Sequence, residues 1–339
     1  MSEFKVNTIT NRDGSHGPQV CGITTFGGSG MQLPSGPTEM RGGRGRGVFS
    51  GGRNNPVFHD TMNLVEIATT GNATDFGNLS KTVNGGSGNI SNSTRGITSG
   101  GYDNVAAANA THIDYHIFSS SGGVSDFGDL TEASNAHGGY SNSRRGIFSM
   151  GYPTYSGQLT FITIATTGDA TAFGSLTSPP SVADAAGINS PTRAILHGLN
   201  NADGVIGMCE FVTFETLGNS QDFGNLSVAR QAGSGCSSLT RGISQGGLTP
   251  SLTDTIDYCT IATLGDFIDF GNLTQARRSP GGCSSLTRGL TGGGTTPTNQ
   301  NTIDFITIST TGNSTDFGDL TYSARNVKGN SDSHGGLAQ

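Results

Sequence analysis

The amino-acid sequence predicts an all-β protein, a propeller of six four-stranded blades, and three observations predict it. A Phe-Gly pair followed after one residue by leucine recurs six times along the chain, at spacings of 46 to 51 residues. An arginine followed by a short apolar stretch recurs in phase with that pair. A repeat of this length suits one four-stranded blade. No segment of helical length shows an apolar period of about 3.6 residues.

The composition narrows the class of protein. Glycine supplies 55 of the 339 residues, more than twice the usual share of ~7%. The net charge of −7 argues against a protein that coats nucleic acid, because that role needs a basic surface. No stretch has the apolar length of a membrane-spanning helix, and the N-terminus lacks the layout of a secretory signal. We therefore expect a folded protein with no nucleic-acid partner and no membrane insertion.

Each repeat is predicted to form four strands, named a to d from the propeller axis outward. Strand a is a stretch of small residues such as 235–239, which suits the crowded axis. Strand b begins at the arginine and ends in Gly-Gly, strand c is an Ile-Asp-aromatic segment such as 302–308, and strand d carries Asp-Phe-Gly-x-Leu. The six pairs begin at Phe76, Phe127, Phe173, Phe223, Phe270 and Phe317. The six arginines are Arg46, Arg95, Arg145, Arg193, Arg241 and Arg288.

The order of these motifs resembles the kelch repeat, over most of the chain after the first 40 residues. In a kelch blade a Gly-Gly doublet closes strand b, and an aromatic residue then precedes a leucine and an arginine. Phenylalanine stands where kelch repeats have tryptophan, and blade 4 has His197 in place of the first glycine. The resemblance implies a kelch-like propeller. The residues that show this order in one repeat are Gly246, Gly247, Phe270, Leu273 and Arg277.

The two ends of the chain are predicted to complete one blade together. The strand at Arg46 has no strand a before it, and the tail after Leu320 aligns without gaps to residues 273–285. Residues 321–336 should therefore supply strand a of blade 1, which removes exposed sheet edges. The expected domains are an extended N-terminal arm, residues 1–40, and a six-bladed propeller, residues 41–339, closed by the C-terminal strand.

Residues that recur in every blade are expected to bond one blade to the next rather than to bind a ligand. The six arginines fit this description, and so does an aspartate of strand d. The third blade has Ala172 at the aspartate position, so that acid is not essential for folding. The aspartates are Asp75, Asp126, Asp222, Asp269 and Asp316.

Binding residues are expected where the blades differ. In an antiparallel meander the b–c and d–a connections share one face of the propeller, and the a–b and c–d connections share the other. The first set varies between repeats, whereas the second is short and uniform. Polar and aromatic loop residues suit contact with sugars or proteins, although neutral variation of exposed loops predicts the same pattern. The candidate binding residues are Asn55, Phe58, His59, Tyr102, Asp103, Tyr152, Tyr155, Asn201, Asp203 and Asn299.

The sequence carries no motif for catalysis, for a cofactor or for a metal. The nucleophile elbow, the P-loop, the H-E-x-x-H pair and the calcium loop are all missing. We therefore predict no enzyme activity, no cofactor and no metal. Five cysteines without a C-x-x-C pair indicate small buried side chains, with Cys236 and Cys283 in the same position of neighbouring repeats. A glycan-cleaving propeller would need two carboxylates near one mouth of the channel, and the sequence shows no unique pair.

The first forty residues do not belong to the repeat. Residues 6–15, VNTITNRDGS, and 17–26, GPQVCGITTF, resemble the head segment of virion structural proteins of tailed marine phages, especially phages that infect cyanobacteria. The resemblance covers about residues 4–38 and implies an anchoring arm that binds other virion proteins. An extended arm rich in Gly, Pro and Thr suits the addition of a strand to a partner, and a disordered tail is the alternative interpretation.

The resemblance implies a non-enzymatic virion protein, tail- or fibre-associated, made in the host cytoplasm and present in several copies per particle. The variable face is expected to bind either host-surface glycan or another virion protein. Two alternatives stay open: a capsid or tail decoration protein without a receptor role, and a glycan-degrading propeller enzyme.

Overall fold

The computed structural model describes residues 45–84, 88–177, 187–201 and 204–337, which form six four-stranded antiparallel sheets. Each sheet is one blade with the strand order a, b, c, d, so the predicted six-bladed propeller is confirmed. Among the described residues the single helical element is a 3-10 turn, Gly335–Leu337, and none of their helices is long and apolar enough to cross a membrane. The expected arm, residues 1–40, lies outside the described residues.

Every blade contains its strands in the order a, b, c and d. They are Lys328–Ser331, Arg46–Ser50, Thr61–Glu66 and Thr74–Asn78 in blade 1; Gly88–Ser91, Arg95–Ser99, His112–Ile117 and Ser125–Asp129 in blade 2; Gly138–Ser141, Arg145–Ser149, Gln158–Thr163 and Thr171–Ser175 in blade 3; Ile188–Asn189, Arg193–Leu196, Met208–Thr213 and Gln221–Asn225 in blade 4; Ser234–Ser237, Arg241–Thr249, Ser251–Thr260 and Ile268–Asn272 in blade 5; and Gly281–Ser284, Arg288–Gly292, Thr302–Thr307 and Thr315–Asp319 in blade 6.

Short strands extend some connections between strands b and c. In blade 5 the two long strands form one continuous hairpin instead. The short strands are Arg53–Asn54 and Val57–Phe58 in blade 1, Tyr102–Asp103 and Ala108–Asn109 in blade 2, Asn200–Asn201 and Gly204–Val205 in blade 4, and Thr295–Thr296 and Thr298–Asn299 in blade 6, with Val83–Asn84 beside the blade 2 pair.

The C-terminal strand closes the ring, as the sequence predicts. Strand a of blade 1 pairs antiparallel with strand b, and Ser331 lies opposite Gly47. The Asp332 carboxylate then accepts hydrogen bonds from the backbone N–H groups of Gly45 and Arg46, at 3.0 and 2.8 Å. The two ends of the propeller are therefore joined by a backbone ladder and by a side-chain cap.

The hydrophobic core lies between the blades, in six clusters that follow one another around the ring. Between blades 2 and 3, for example, Ile90 and Phe127 pack against Phe148 and Ile162. The phenylalanine and the leucine of the Phe-Gly-x-Leu motif are buried in every blade. The motif therefore serves core packing, as predicted.

The glycine of that motif has a separate role, because the next blade approaches it closely. Gly128 has a φ of +149°, and a Cβ there would lie 2.5 Å from the carbonyl oxygen of Gly168 in blade 3. The Gly168 N–H donates to the carbonyl of Phe127 at 2.7 Å. The c–d connection of one blade thus covers the outer edge of the preceding blade, which protects that edge from pairing with other chains.

The repeated arginines join each blade to the next, as predicted. Arg288 Nη1 of blade 6 donates to the carbonyl of Ile67 in blade 1 at 3.0 Å. In five blades the guanidinium also lies over the aromatic ring of strand c, 4.4 to 5.0 Å from its centroid. Arg46 instead pairs with Glu66 at 3.2 Å. From blade 1 onward, the carbonyl acceptors belong to Phe118, Ile164, Phe214, Ile261, Ile308 and Ile67.

The prediction for the repeated aspartates is wrong. Asp75, Asp126, Asp222, Asp269 and Asp316 are exposed at the second position of strand d, and no ion pair among the described residues includes them. That position faces solvent, where a charge needs no partner and discourages edge pairing. The acids that join blades lie on strand c instead.

One buried ion pair shows how these strand c acids work. Asp304 of blade 6 accepts hydrogen bonds from the N–H and the hydroxyl of Thr274, which follows strand d of blade 5, at 3.0 and 2.8 Å. Arg277 Nη2 lies 2.9 Å from the same carboxylate, and both side chains are fully buried. Asp257 and Arg230 repeat the arrangement between blades 4 and 5, at 2.7 Å.

Candidate functional site

One end of the propeller, which we call the variable face, carries the b–c hairpins and the d–a segments. Val83–Asn84 of a d–a segment pairs with Tyr102–Asp103 of a b–c hairpin, and Asn135 forms a β-bridge with Tyr152. The two variable sets of connections therefore meet at one end, as the sequence predicts. The other end, the uniform face, carries the a–b and c–d connections.

Blade 3 presents two exposed tyrosines on the variable face. Tyr152 and Tyr155 are 46% and 36% exposed, and their rings meet edge to face at 5.6 Å. Glu132 fixes this hairpin, since its carboxylate accepts hydrogen bonds from the hydroxyls of Thr154 and Ser156 at 3.1 and 2.9 Å. The result is an apolar and hydrogen-bonding surface on a rigid support, which suits contact with a sugar or a protein.

Two of the predicted binding residues already have partners inside the propeller. The Asp103 side chain is buried, and its carboxylate accepts hydrogen bonds from the N–H groups of Val105 and Ala106 at 2.8 and 3.1 Å. His59 stacks on Tyr322, with 4.1 Å between the ring centroids. Burial lowers the pKa of His59 from its usual value. Both residues therefore shape the face rather than present free groups.

The other predicted residues divide by exposure. Asn55 is exposed at a hairpin tip, whereas Phe58, Tyr102 and Asn299 are half-buried. Asn299 Nδ2 donates to the carbonyl of Arg53 at 3.2 Å, which ties the hairpins of blades 6 and 1 together. Asn201 lies in a short strand. The last predicted residue, Asp203, lies outside the described residues.

A ring of hydroxyl and amide groups lines the axis near the uniform face. Ser91 Oγ donates to the carbonyl of Ser331 at 2.7 Å, and Ser331 Oγ donates to the carbonyl of Ser284 at 2.6 Å. Equivalent bonds continue around the ring, so these polar groups are used to join blades. The ring members are Ser91, Ser141, Asn189, Ser237, Ser284 and Ser331.

The axial channel is narrow, and the turn Gly335–Leu337 closes it at the uniform face. Its cavity has a volume of ≈ 30 Å³, the space of a few water molecules. The turn Gly335–Leu337 is buried, and its glycines lie against the carbonyl oxygens of Ser141 and Ser238. His334 Nε2 donates to the carbonyl of Ser91 at 3.0 Å. A sugar or a cofactor therefore does not fit within the channel.

Two larger depressions lie beside c–d connections. The first, ≈ 510 Å³, is bounded by residues 211–221 of blade 4, and the second, ≈ 310 Å³, by residues of blades 5 and 6 such as Phe270 and Thr315. Their lining belongs to the repeated strand c, c–d connection and strand d. The variable face therefore differs more between blades than these depressions do.

Several buried histidines and cysteines are held in their neutral forms. Burial lowers the pKa of His116 and His137 to about 3 and that of His334 to about 4. Burial raises the pKa of the Cys236 and Cys259 thiols to about 12. The four cysteines in the described part of the chain are unpaired and buried, as predicted, and Cys21 lies outside it. No three His, Cys, Asp or Glu side chains in that part could hold a metal ion.

The roles of the strand c acids and of the axial plug were not predicted from the sequence. The signal for the acids was present, because the Ile-Asp pair recurs in strand c and a Ser or Thr follows the leucine of strand d. The axial plug, residues 333–337, had no such signal, because it lies beyond the part of the tail that aligns to another repeat. We find no protein-family model that matches the chain, and no curated protein similar to it.

Proposed function

We propose that this chain is a non-enzymatic contact protein of a phage particle, whose propeller serves as a rigid scaffold and whose variable face binds the partner. The partner is host-surface glycan or another virion protein. The proposal has two parts, the use of the face and the place in the particle, and they rest on different observations.

The proposal that the variable face binds the partner rests on which polar groups already form bonds inside the propeller. The repeated arginines, the strand c acids and the axial hydroxyl ring all form bonds between blades. Exposed side chains that differ between blades stand on the variable face, above all Tyr152 and Tyr155. A fixed pair of exposed aromatic rings is a common anchor in binding surfaces. This pair is the observation that carries the proposal.

The proposal that the chain is part of a phage particle rests on the resemblance of residues 4–38 to the head segment of phage virion proteins. An arm before the first blade would attach the chain to the particle and leave the propeller outside. Tail or fibre attachment, several copies per particle and synthesis in the host cytoplasm follow from the same resemblance. A decoration protein without a receptor role is the alternative that the experiment must separate.

The experiment uses antibody raised against the purified full-length chain. Virions are labelled with it for electron microscopy, and adsorption of antibody-treated virions to host cells is measured against virions treated with non-immune antibody. We expect label at the tail or its fibres and a large fall in adsorption.

Two results would count against this proposal. Label on the particle without any effect on adsorption indicates a decoration protein. If the antibody detects the chain in infected cells but does not label purified virions, the virion role is excluded. A separate assay for release of reducing sugar from host polysaccharide by the purified chain tests the non-enzymatic claim, and release would overturn it.

A further inference from the structure

Three arginines converge on the variable face where blades 6 and 1 meet. Arg53 lies in the b–c hairpin of blade 1, Arg278 in the d–a segment before blade 6, and Arg325 in the d–a segment before blade 1. The backbones of Arg53 and Arg325 exchange hydrogen bonds of 2.9 and 3.1 Å. Asn326 N–H donates to the carbonyl of Ser279 at 2.8 Å, which brings the two d–a segments together.

These guanidinium groups have no acidic partner in the part of the chain that the structure describes. No ion pair within the described ranges includes Arg53, Arg278 or Arg325. All three side chains are half-buried, and Arg53 Nε is buried without a hydrogen-bond partner among the described residues. Burial, Arg325 and Arg278, in that order, lower the pKa of Arg53. Like charges held together in a partly buried place are unfavourable unless an anion neutralises them.

The cluster differs from the other arginines of the propeller. Arg230 and Arg277 pair with buried aspartates, and the repeated arginines, such as Arg95, donate to carbonyl groups. The chain as a whole is acidic, with a net charge of −7. Three unpaired positive charges in one place are therefore a local feature, and the repeat does not require them.

We propose that Arg53, Arg278 and Arg325 form an oxyanion-binding site on the variable face, which takes a sulfate, phosphate or carboxylate group. The guanidinium group presents several N–H donors in a planar fork that matches two oxygen atoms, and such charge-assisted bonds are stronger than neutral ones. The side chain of Asn299 holds the hairpins of blades 6 and 1 together beside the site, through Arg53 O and Asn54 Oδ1. The oxyanion site does not depend on the virion role.

The first test is calorimetric titration of the full chain at low ionic strength. The probes are sodium sulfate, phosphate and acetate, then dextran sulfate, carboxymethyl-dextran and neutral dextran. We expect dextran sulfate or carboxymethyl-dextran to bind and neutral dextran not to bind, and the better polymer identifies the oxyanion. Arg53→Gln and Arg325→Gln should each weaken that binding at least about ten-fold.

The matched control is Arg144→Gln, which removes one exposed arginine from the uniform face. Its affinity for the same polymer should change by less than about two-fold, because it lies outside the site. Equal losses in all three variants would overturn the proposal, since they would indicate diffuse charge attraction. Failure of the wild-type chain to bind any of the anions at millimolar concentration would also overturn it.

A second readout separates a binding role from a structural one. Because the three charges repel one another, Arg53→Gln and Arg278→Gln should leave the melting temperature of the anion-free chain unchanged or raise it. A lowered melting temperature in both variants, with anion affinity retained, would overturn the proposal. The two proposals can fail separately. If the chain binds anions but the antibody against it does not affect adsorption, the oxyanion site stands and the receptor role is excluded.

Discussion

At the scale of single residues, the propeller depends on positions where one blade touches the next. The glycine of each Phe-Gly pair leaves room for a loop of the following blade, as at Gly128 and Gly168. The arginine that begins strand b donates to a carbonyl of the following blade. A residue is therefore repeated because each blade presents the same surface to its neighbour.

The first prediction concerns the close approach at Gly128. Gly128→Ala should lower the free energy of unfolding by at least about 2 kcal/mol, because the new Cβ meets a backbone carbonyl and the positive φ suits glycine alone. Gly123→Ala is the control in the same blade, since its Cβ would have 3.8 Å to the nearest atom. Denaturant unfolding of both variants measures the difference. Equal stabilities would show that the loop approach is not constrained.

The second prediction concerns pH. His116, His137 and His334 have folded-state pKa values of about 3, 3 and 4, well below the unfolded value, because they are buried. The unfolded chain therefore binds more protons below about pH 6.5, so stability is fully present above that pH and falls as the pH drops. Each histidine contributes a slope of up to about 1.4 kcal/mol per pH unit.

Melting temperatures between about pH 7.5 and pH 5 measure this slope. His116→Ile is the useful variant, because the equivalent position of blade 3 is Ile162 and neither ring nitrogen of His116 has a hydrogen-bond partner among the described residues. It should lower the slope by up to about 1.4 kcal/mol per pH unit, the contribution of one histidine. A slope that stays the same in this variant would mean that His116 is not held neutral by the fold.

At the scale of elements, the C-terminal segment performs two tasks. Strand Lys328–Ser331 completes blade 1, and residues 332–337 then cap strand b and fill one mouth of the channel. Without the strand, strand b of blade 1 would expose an unpaired edge at the axis, and the cluster between blades 6 and 1 would lose its support from one side.

The third prediction is a pair of truncations. A chain that ends at Val327 loses the strand and the plug, and its melting temperature should fall by more than about 10 °C, or it should aggregate. A chain that ends at Ser331 keeps the strand and loses only the cap and the plug, so its fall should be smaller. A third chain that ends at Leu337 serves as the control. Identical melting curves for all three would contradict closure by the C-terminal strand.

Local pattern in the sequence was enough to predict the blades, the order of strands and the closing strand, because each depends on residues that recur. The roles of the strand d aspartates were not predictable in this way. They recur in five of the six blades, nearly as regularly as the arginines, and the direction of the side chain distinguishes the two sets. Likewise, Asp103 was expected on the binding face, although its carboxylate caps its own hairpin.

At the scale of the whole molecule, the residues that stabilise the ring and the residues proposed to bind a partner lie in different places. Six equivalent interfaces use the repeated residues, and the uniform face is closed at the axis by the C-terminal turn. The variable face carries the tyrosine pair of blade 3 and the arginine cluster between blades 6 and 1. The sequence could not reveal that cluster, because Arg53 and Arg325 are far apart in the chain and meet only when the ring closes.

A binding assay on host cells decides whether the variable face is the contact surface. It measures how much labelled full-length protein binds and compares two double variants. Tyr152→Ala with Tyr155→Ala alters the variable face, and Leu217→Ala with Leu264→Ala alters exposed residues of c–d connections on the uniform face. We expect at least about a ten-fold loss of bound protein for the tyrosine variant and little change for the leucine variant. Unchanged binding by the tyrosine variant, with a loss in the leucine variant, would assign contact to the uniform face instead.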